Sequence, residues 1–236
     1  MRGRQTIWVT REFSYRIGSM LALIASRIGL SPNFISLLSS VVTLSSAFLA
    51  VHYGQGALVS SLILIIGLQL GYGLDCADGL IARTCGKESS FGLVLDKISD
   101  FFSGMLFPVI LATGATMSLN VPEDKVAEYS IYILMGAMIS RALLSMLLWF
   151  KDQLLHSSDH LRKDTREVTL FSRMKKIVAI YIDEPVYRLA IALAWCMSWY
   201  WEFLVIYSAG ILLMFIAYLI SSKADLDAFD KSKKSA

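Results

Sequence analysis

Six apolar runs decide what this chain can fold into before any other feature is weighed. They cover Ile35–His52, Ala57–Leu74, Leu93–Thr116, Tyr129–Phe150, Pro185–Tyr200 and Trp201–Ser221. Each is long enough, or nearly so, to cross a hydrocarbon core about 30 Å thick; the fifth is the shortest. The expected fold class is an all-α integral membrane protein with six transmembrane helices and an N-terminal amphipathic surface helix. Composition agrees, since only 17% of the 236 residues are charged against about a quarter in soluble domains. We expect a single membrane domain over 1–236, divided into a surface helix and arm (1–30), a six-helix bundle (31–221) and a polar tail (222–236).

Charge is placed as unevenly as hydrophobicity. Of the 22 Lys and Arg, 20 lie in the N-terminal arm (Arg2, Arg4, Arg11, Arg16, Arg27), after the second run (Arg83, Lys87, Lys97), in or at the edge of the long connection after the fourth, or in the tail. Lys125 alone marks the opposite side, and Arg141 lies inside the fourth run. Basic residues collect in cytoplasmic loops. Both termini and the connection after the second run are therefore expected in the cytosol, and the membrane would be the inner or plasma membrane if the source is a bacterium or archaeon. Met1–Arg16 is too polar for a cleavable signal peptide. Arg interleaved with Trp, Phe, Tyr and Leu from Trp8 to Leu30 suits a helix on the membrane surface. A second short surface helix is expected at Val168–Tyr181, where Lys175 and Lys176 would meet anionic headgroups. Cys76, Cys85 and Cys196 lack metal-like or pairable spacing. They, with His52, His156 and His160, are assigned no role, and no nucleic-acid partner is expected.

Four aspartates gather in LDCADGLIARTCGKESSFGLVLDKISD, Leu74 to Asp100. If the second helix runs on through Arg83, Asp75 lies ~27 Å from Ala57, near the cytosolic boundary. A turn follows, Ser89 or Ser90 caps the next helix, and Asp96 and Asp100 fall in its first turns at the same level. At 100° per residue, Asp75, Asp78, Gly79 and Ala82 share a stripe about 100° wide, and Gly92, Asp96 and Asp100 one about 80° wide. Two such stripes facing each other make a cleft walled by carboxylates and widened by glycines. Each Asp within a spanning helix costs on the order of 3 kcal/mol, and four together repel, so positive charge belongs between them. Arg83 and Lys97 supply part of it, and a salt-bridged helix pair would need nothing more. Two hard divalent cations, which prefer oxygen ligands, match four negative charges and form a device known for displacement at phosphorus. A cation transporter or channel also keeps carboxylates in the membrane. It would need polar groups through the full thickness, yet beyond the cleft the second and third runs hold only Gln69 and a few Gly and Ser.

The complete pattern, Asp75-x-x-Asp78-Gly79-x-x-Ala82-Arg83, eight residues, then Gly92-x-x-x-Asp96-x-x-x-Asp100, resembles the signature of the CDP-alcohol phosphotransferase (CDP-alcohol phosphatidyltransferase) family. All eight fixed positions are present. The resemblance extends to six spans, a surface helix and Pro32-Asn33 opening the first span. It implies an enzyme of phospholipid biosynthesis that transfers a substituted phosphate from a CDP-linked donor to an alcohol hydroxyl, releasing CMP. By the same resemblance Asp75, Asp78 and Asp96, with Asp100, would hold two divalent cations, Mg2+ or Mn2+. Asp100 would take the proton from the attacking hydroxyl. Asp78, Gly79, Ala82, Arg83 and Gly92 would form the nucleotide pocket. Membrane lipids, and a second copy in a homodimer, are the other expected partners.

Two substrate arrangements occur in that family: a CDP-lipid donor with a small polar acceptor, or CDP-choline or CDP-ethanolamine with a diglyceride. An Arg inside a span faces the bundle interior and serves an anion, so Arg141 and Arg188 are expected to meet a phosphorylated acceptor through fork-like hydrogen bonds. The reading drawn from this is a CDP-diacylglycerol donor with glycerol phosphate, inositol or inositol phosphate as acceptor. The aminoalcohol arrangement is its alternative.

Overall fold

The computed structural model describes residues 15–117, 123–156 and 184–234. The arm before Tyr15, the helix expected at Val168–Tyr181 with Lys175 and Lys176, and His160 lie outside them. Seven helices make up the described regular structure: α1 (Tyr15–Arg27), α2 (Pro32–Tyr53), α3 (Leu58–Thr84), α4 (Ser90–Met117), α5 (Glu123–His156), α6 (Glu184–Cys196) and α7 (Tyr200–Lys234). In hydrocarbon a segment must satisfy its own N–H and C=O groups, which an α-helix does internally. Among the described residues α2, α3, α4 and the Tyr200–Ile220 part of α7 are long and apolar enough to cross a membrane. The chain is an integral membrane protein.

These four helices account in full for four of the six expected spans. α5 has 34 residues, and its described apolar stretch, Ser130–Leu144, lies inside the span expected at Tyr129–Phe150. α6 has only 13 residues, a reach of ~20 Å, where a span over Pro185–Tyr200 was expected. The backbone explains its end. Ser198 adopts a left-handed φ of 59°, and the N–H of Trp199 reaches the Ala194 carbonyl at 2.8 Å, a helix-terminating turn of the Schellman type. α7 stays helical through Lys234, beyond Ser221 where the apolar run stops.

The chain divides into two compact units. In the first (1–130 and 179–201), α2 packs against both α3 and α4, which make little direct contact with each other, and α1 and α6 pack on α3. Small residues bring α2 and α3 together. A Cβ on Gly67 or Gly71 would overlap Ser46 or Thr43 of α2, and Ser39 Oγ donates to the Gly71 carbonyl at 2.9 Å. Close approach at a small-xxx-small pattern is how membrane helices gain van der Waals contact where lipid offers no hydrophobic drive. α1 uses the same logic. It buries Gly18, Ala22 and Ala25 against the Gly73–Ala77 level of α3 and leaves Met20, Leu23 and Ile24 exposed, as suits a helix at the lipid interface. α6 runs antiparallel to α3, with Gln69 Nε2 on the Pro185 carbonyl and Trp195 Nε1 on Ser60 Oγ, both at 3.1 Å. In the second unit, Arg141 Nη1 of α5 donates to the Tyr207 hydroxyl of α7 at 3.3 Å.

Candidate active site

Two short turns set the level of the site. α3 closes where Gly86 takes a φ of 62°, so that the Lys87 N–H bonds the Ala82 carbonyl at 2.9 Å; a side chain there would be strained. Ser89 then caps α4, its Oγ accepting from the Gly92 N–H at 2.9 Å. Ser31 caps α2 in the same way through Phe34 N–H at 3.3 Å, and Pro32 occupies its first turn. The last turns of α3 and the first turns of α4 and α2 thus lie together.

Between them opens a cavity of about 850 Å³. Asp75, Asp78, Gly79, Ala82, Arg83, Gly92, Asp96 and Asp100 all line it. So do Asn33 and Ser36 of α2, Tyr15 of α1, Tyr72 and Lys97. The expected cleft between two facing helices is therefore a chamber with α2 as a third wall.

Asp75, Asp78 and Asp96 each offer an oxygen within 4.8 Å of the other two. Carboxylate oxygens are hard ligands, and three at this separation fit a hard divalent cation. Asp78 is 4% exposed, and its Oδ2 accepts a hydrogen bond from Ser36 Oγ. Asp100 lines the same cavity outside that trio. Lys97 Nζ lies 3.0 Å from Asp96 Oδ2 and 2.9 Å from Asp100 Oδ2, supplying the counter-charge expected of it. A Cβ at Gly92 would stand 2.9 Å from Ser89 Oγ and 3.0 Å from Asn33 Oδ1, and one at Gly79 3.2 Å from Arg83 Nη1. Both glycines keep the chamber open where α3 and α4 border it.

The two arginines expected for the acceptor are not among the residues lining the cavity. Arg188 is 3% exposed and does not line the cavity. Its Nε meets Glu184 Oε1 at 3.1 Å, its Nη1 meets Thr43 Oγ1 and the Leu68 carbonyl at 3.2 Å each, and it stacks over the Tyr72 ring at 5.5 Å. A Cβ on Gly71 would stand 3.4 Å from its Nη1, so the guanidinium lies at the Gly71–Tyr72 level of α3, about one helical turn before Asp75. Arg141 belongs to the second unit.

Ser36 and Tyr72 escaped the sequence reading. For Ser36 a signal existed: Ser36, Ser39, Ser40, Thr43 and Ser46 recur at helical spacing inside an apolar run, a polar stripe turned inward.

Comparison with known proteins bears on the family and the fold. A curated relative, archaetidylinositol phosphate synthase of Pyrococcus horikoshii, is 34% identical over 106 residues, 45% of this chain. The match spans about half (51%) of that relative's length. The crystal structure of Mycobacterium tuberculosis phosphatidylinositol phosphate synthase with CDP-DAG bound superposes with a TM-score of 0.50 at 19% identity. That superposition covers 90% of this chain and 92% of the other, a likeness of fold. The family model described as CDP-alcohol phosphatidyltransferase matches residues 29–220, from the turn before α2 deep into α7 and across all four aspartates. Motif, chamber and family match converge: this chain is an enzyme of the CDP-alcohol phosphatidyltransferase family.

Proposed function

We propose that the protein transfers a phosphatidyl-type group from a CDP-linked lipid, CDP-diacylglycerol or an archaeal-type counterpart, to a hydroxyl of inositol phosphate, releasing CMP. The observation that carries the reaction is the convergence of all eight motif residues on one cavity. Support for the acceptor comes from the names of the two similar proteins, both inositol-phosphate lipid synthases. Family membership displaces the transporter reading.

Asp75, Asp78 and Asp96, with Asp100 beside them, would hold two divalent cations, Mg2+ or Mn2+. When bound, these supply charge stabilisation for the pyrophosphate and the departing CMP. The acceptor oxygen forms its new bond to the lipid-side phosphorus, the bond from that phosphorus to the CMP oxygen breaks, and the hydroxyl proton passes to Asp100. A carboxylate is a weak base and serves only when held within hydrogen-bond reach of the hydroxyl. Asp100 is the least enclosed member of the set, with its side chain 39% exposed, and so is the one an incoming acceptor can approach. Arg83, over Gly79, steadies the nucleotide phosphates, and Gly79 and Gly92 leave room for the cytidine. Arg141 and Arg188 stay as the sequence-based proposal for the acceptor's phosphate; a raised acceptor KM with an unchanged donor KM in Arg141→Gln supports it. The chamber and both termini are proposed to face the cytosol, as the distribution of Lys and Arg argues.

The test is CMP release by purified protein in detergent, with Mg2+ or Mn2+ and with chelator. CDP-diacylglycerol, or an archaeal-type CDP-lipid, is offered with inositol phosphate, inositol, glycerol 3-phosphate or serine in turn. CDP-choline or CDP-ethanolamine with diacylglycerol forms a parallel arm. Cation-dependent release with inositol phosphate supports the proposal. Release with another acceptor, or only in the diacylglycerol arm, overturns the substrate assignment.

A further inference from the structure

We infer that Ser36 is a positioning residue for the cation site: its hydroxyl holds the Asp78 carboxylate in one orientation beside Asp75 and Asp96. The inference rests on reading those three carboxylates as cation ligands, and it adds a residue from a helix outside the aspartate motif. Ser36 is 5% exposed and Asp78 4%, so neither is held by bulk water. Ser36 Oγ approaches both the Pro32 carbonyl, at 3.2 Å, and Asp78 Oδ2, which is the nearer. A hydroxyl has one proton to give, and the anionic oxygen is the stronger acceptor. Without that bond the Asp78 carboxylate is held only by the Gly79 backbone N–H, and is less constrained about its last torsion, which is broad for this side chain. It would also lose a partner that a buried charge needs. Groups that hold a ligating carboxylate from behind typically contribute 10- to 100-fold in metal affinity. Asp75 and Asp96 are less enclosed than Asp78, so orientation matters most where Ser36 acts.

The test uses Mn2+ alone, titrated into purified full-length protein without nucleotide or lipid donor, with free Mn2+ read by electron paramagnetic resonance. Wild type, Ser36→Ala, Ser36→Thr, Asp78→Asn and the Ser36→Ala/Asp78→Asn double variant are compared. Ser36→Ala is expected to bind Mn2+ roughly 10- to 100-fold more weakly while keeping its helical content and elution volume. Ser36→Thr, which keeps the hydroxyl, stays near wild type, and Ser36→Ala adds nothing further once Asp78→Asn is present. Equal binding by Ser36→Ala and wild type overturns the inference. So does a Ser36→Thr variant as weak as Ser36→Ala, because the effect would then belong to packing rather than the hydroxyl. If wild type itself takes up no Mn2+, the cation reading of the three aspartates fails first, an outcome distinct from either of these.

Discussion

Replacing Gly92 with alanine adds one methyl group where α2 and α4 approach the chamber, and its effects on stability and on function should separate. The new Cβ would stand 2.9 Å from Ser89 Oγ and 3.0 Å from Asn33 Oδ1, both closer than ordinary van der Waals contact. Each is the free end of a short side chain, so they yield instead of the backbone. Moving Ser89 weakens the cap it makes with the Gly92 N–H, a loss of about 1 kcal/mol. Alanine's helix preference over glycine returns about 1 kcal/mol. Stability should therefore change by less than about 1 kcal/mol, and the thermal unfolding midpoint in detergent should barely move. Function has no such offset, because the methyl and the displaced Asn33 both intrude on the space proposed for the nucleotide. A tenfold rise in KM for the CDP-linked donor, equivalent to 1.4 kcal/mol, is expected, with KM for the acceptor unchanged. The assay is CMP release against donor concentration beside a melting curve of the same preparation. A donor KM within twofold of wild type, in protein that melts normally, would refute the placement of the nucleotide against Gly92.

Asp100→Asn keeps the shape and removes the base, so turnover should fall on the order of 10²- to 10⁴-fold while the melting curve stays close to wild type. Near-normal CMP release would show that another group takes the proton. Lys97 competes with any cation for Asp96 and Asp100. Its side chain is 66% exposed, and exposed pairs are worth at most about 1 kcal/mol. Lys97→Gln should lower the Mg2+ concentration for half-maximal activity a few-fold, and a higher requirement would contradict that competition. Gly71→Val would force a side chain into Thr43 of α2 and should cost roughly 1–3 kcal/mol, read as a lower melting temperature. Gly104→Ala, whose Cβ meets nothing within 4 Å, should melt at or slightly above wild type, since alanine's helix preference adds up to about 1 kcal/mol; equal melting of the two would argue against the α2–α3 contact.

What could be read from sequence was the gathering of the carboxylates. Asp75, Asp78, Asp96 and Asp100 stand out against apolar surroundings, and helical geometry alone put them at one depth. What could not be read was the packing of apolar faces, because lipid and protein interior are equally apolar and hydropathy loses its contrast. Phe101 is 58% exposed and Phe107 fully buried, yet nothing in the α4 sequence tells them apart. Adjacency along the chain suggested that α3 and α4 face each other directly, and the wall supplied by α2 was missed for that reason. The immediate partners of Arg188, Thr43 and the Leu68 carbonyl, could not be read either, because they come from helices more than a hundred residues earlier. The brevity of α6 turned on Ser198, a residue with no obligation to adopt a positive φ.

Ser36 on Asp78 and Lys97 on Asp96 and Asp100 also bear on how the chain is made. Synthesis runs from the N-terminus, so α2 and α3 leave the ribosome before α4 exists. Asp78 finds its hydroxyl within that first hairpin, while Asp96 and Asp100 arrive with their own ammonium group one and three residues away. Three of the four carboxylates, Asp78, Asp96 and Asp100, thus have a partner within the same hairpin or the same helix turn, and Asp75 alone depends on what arrives later.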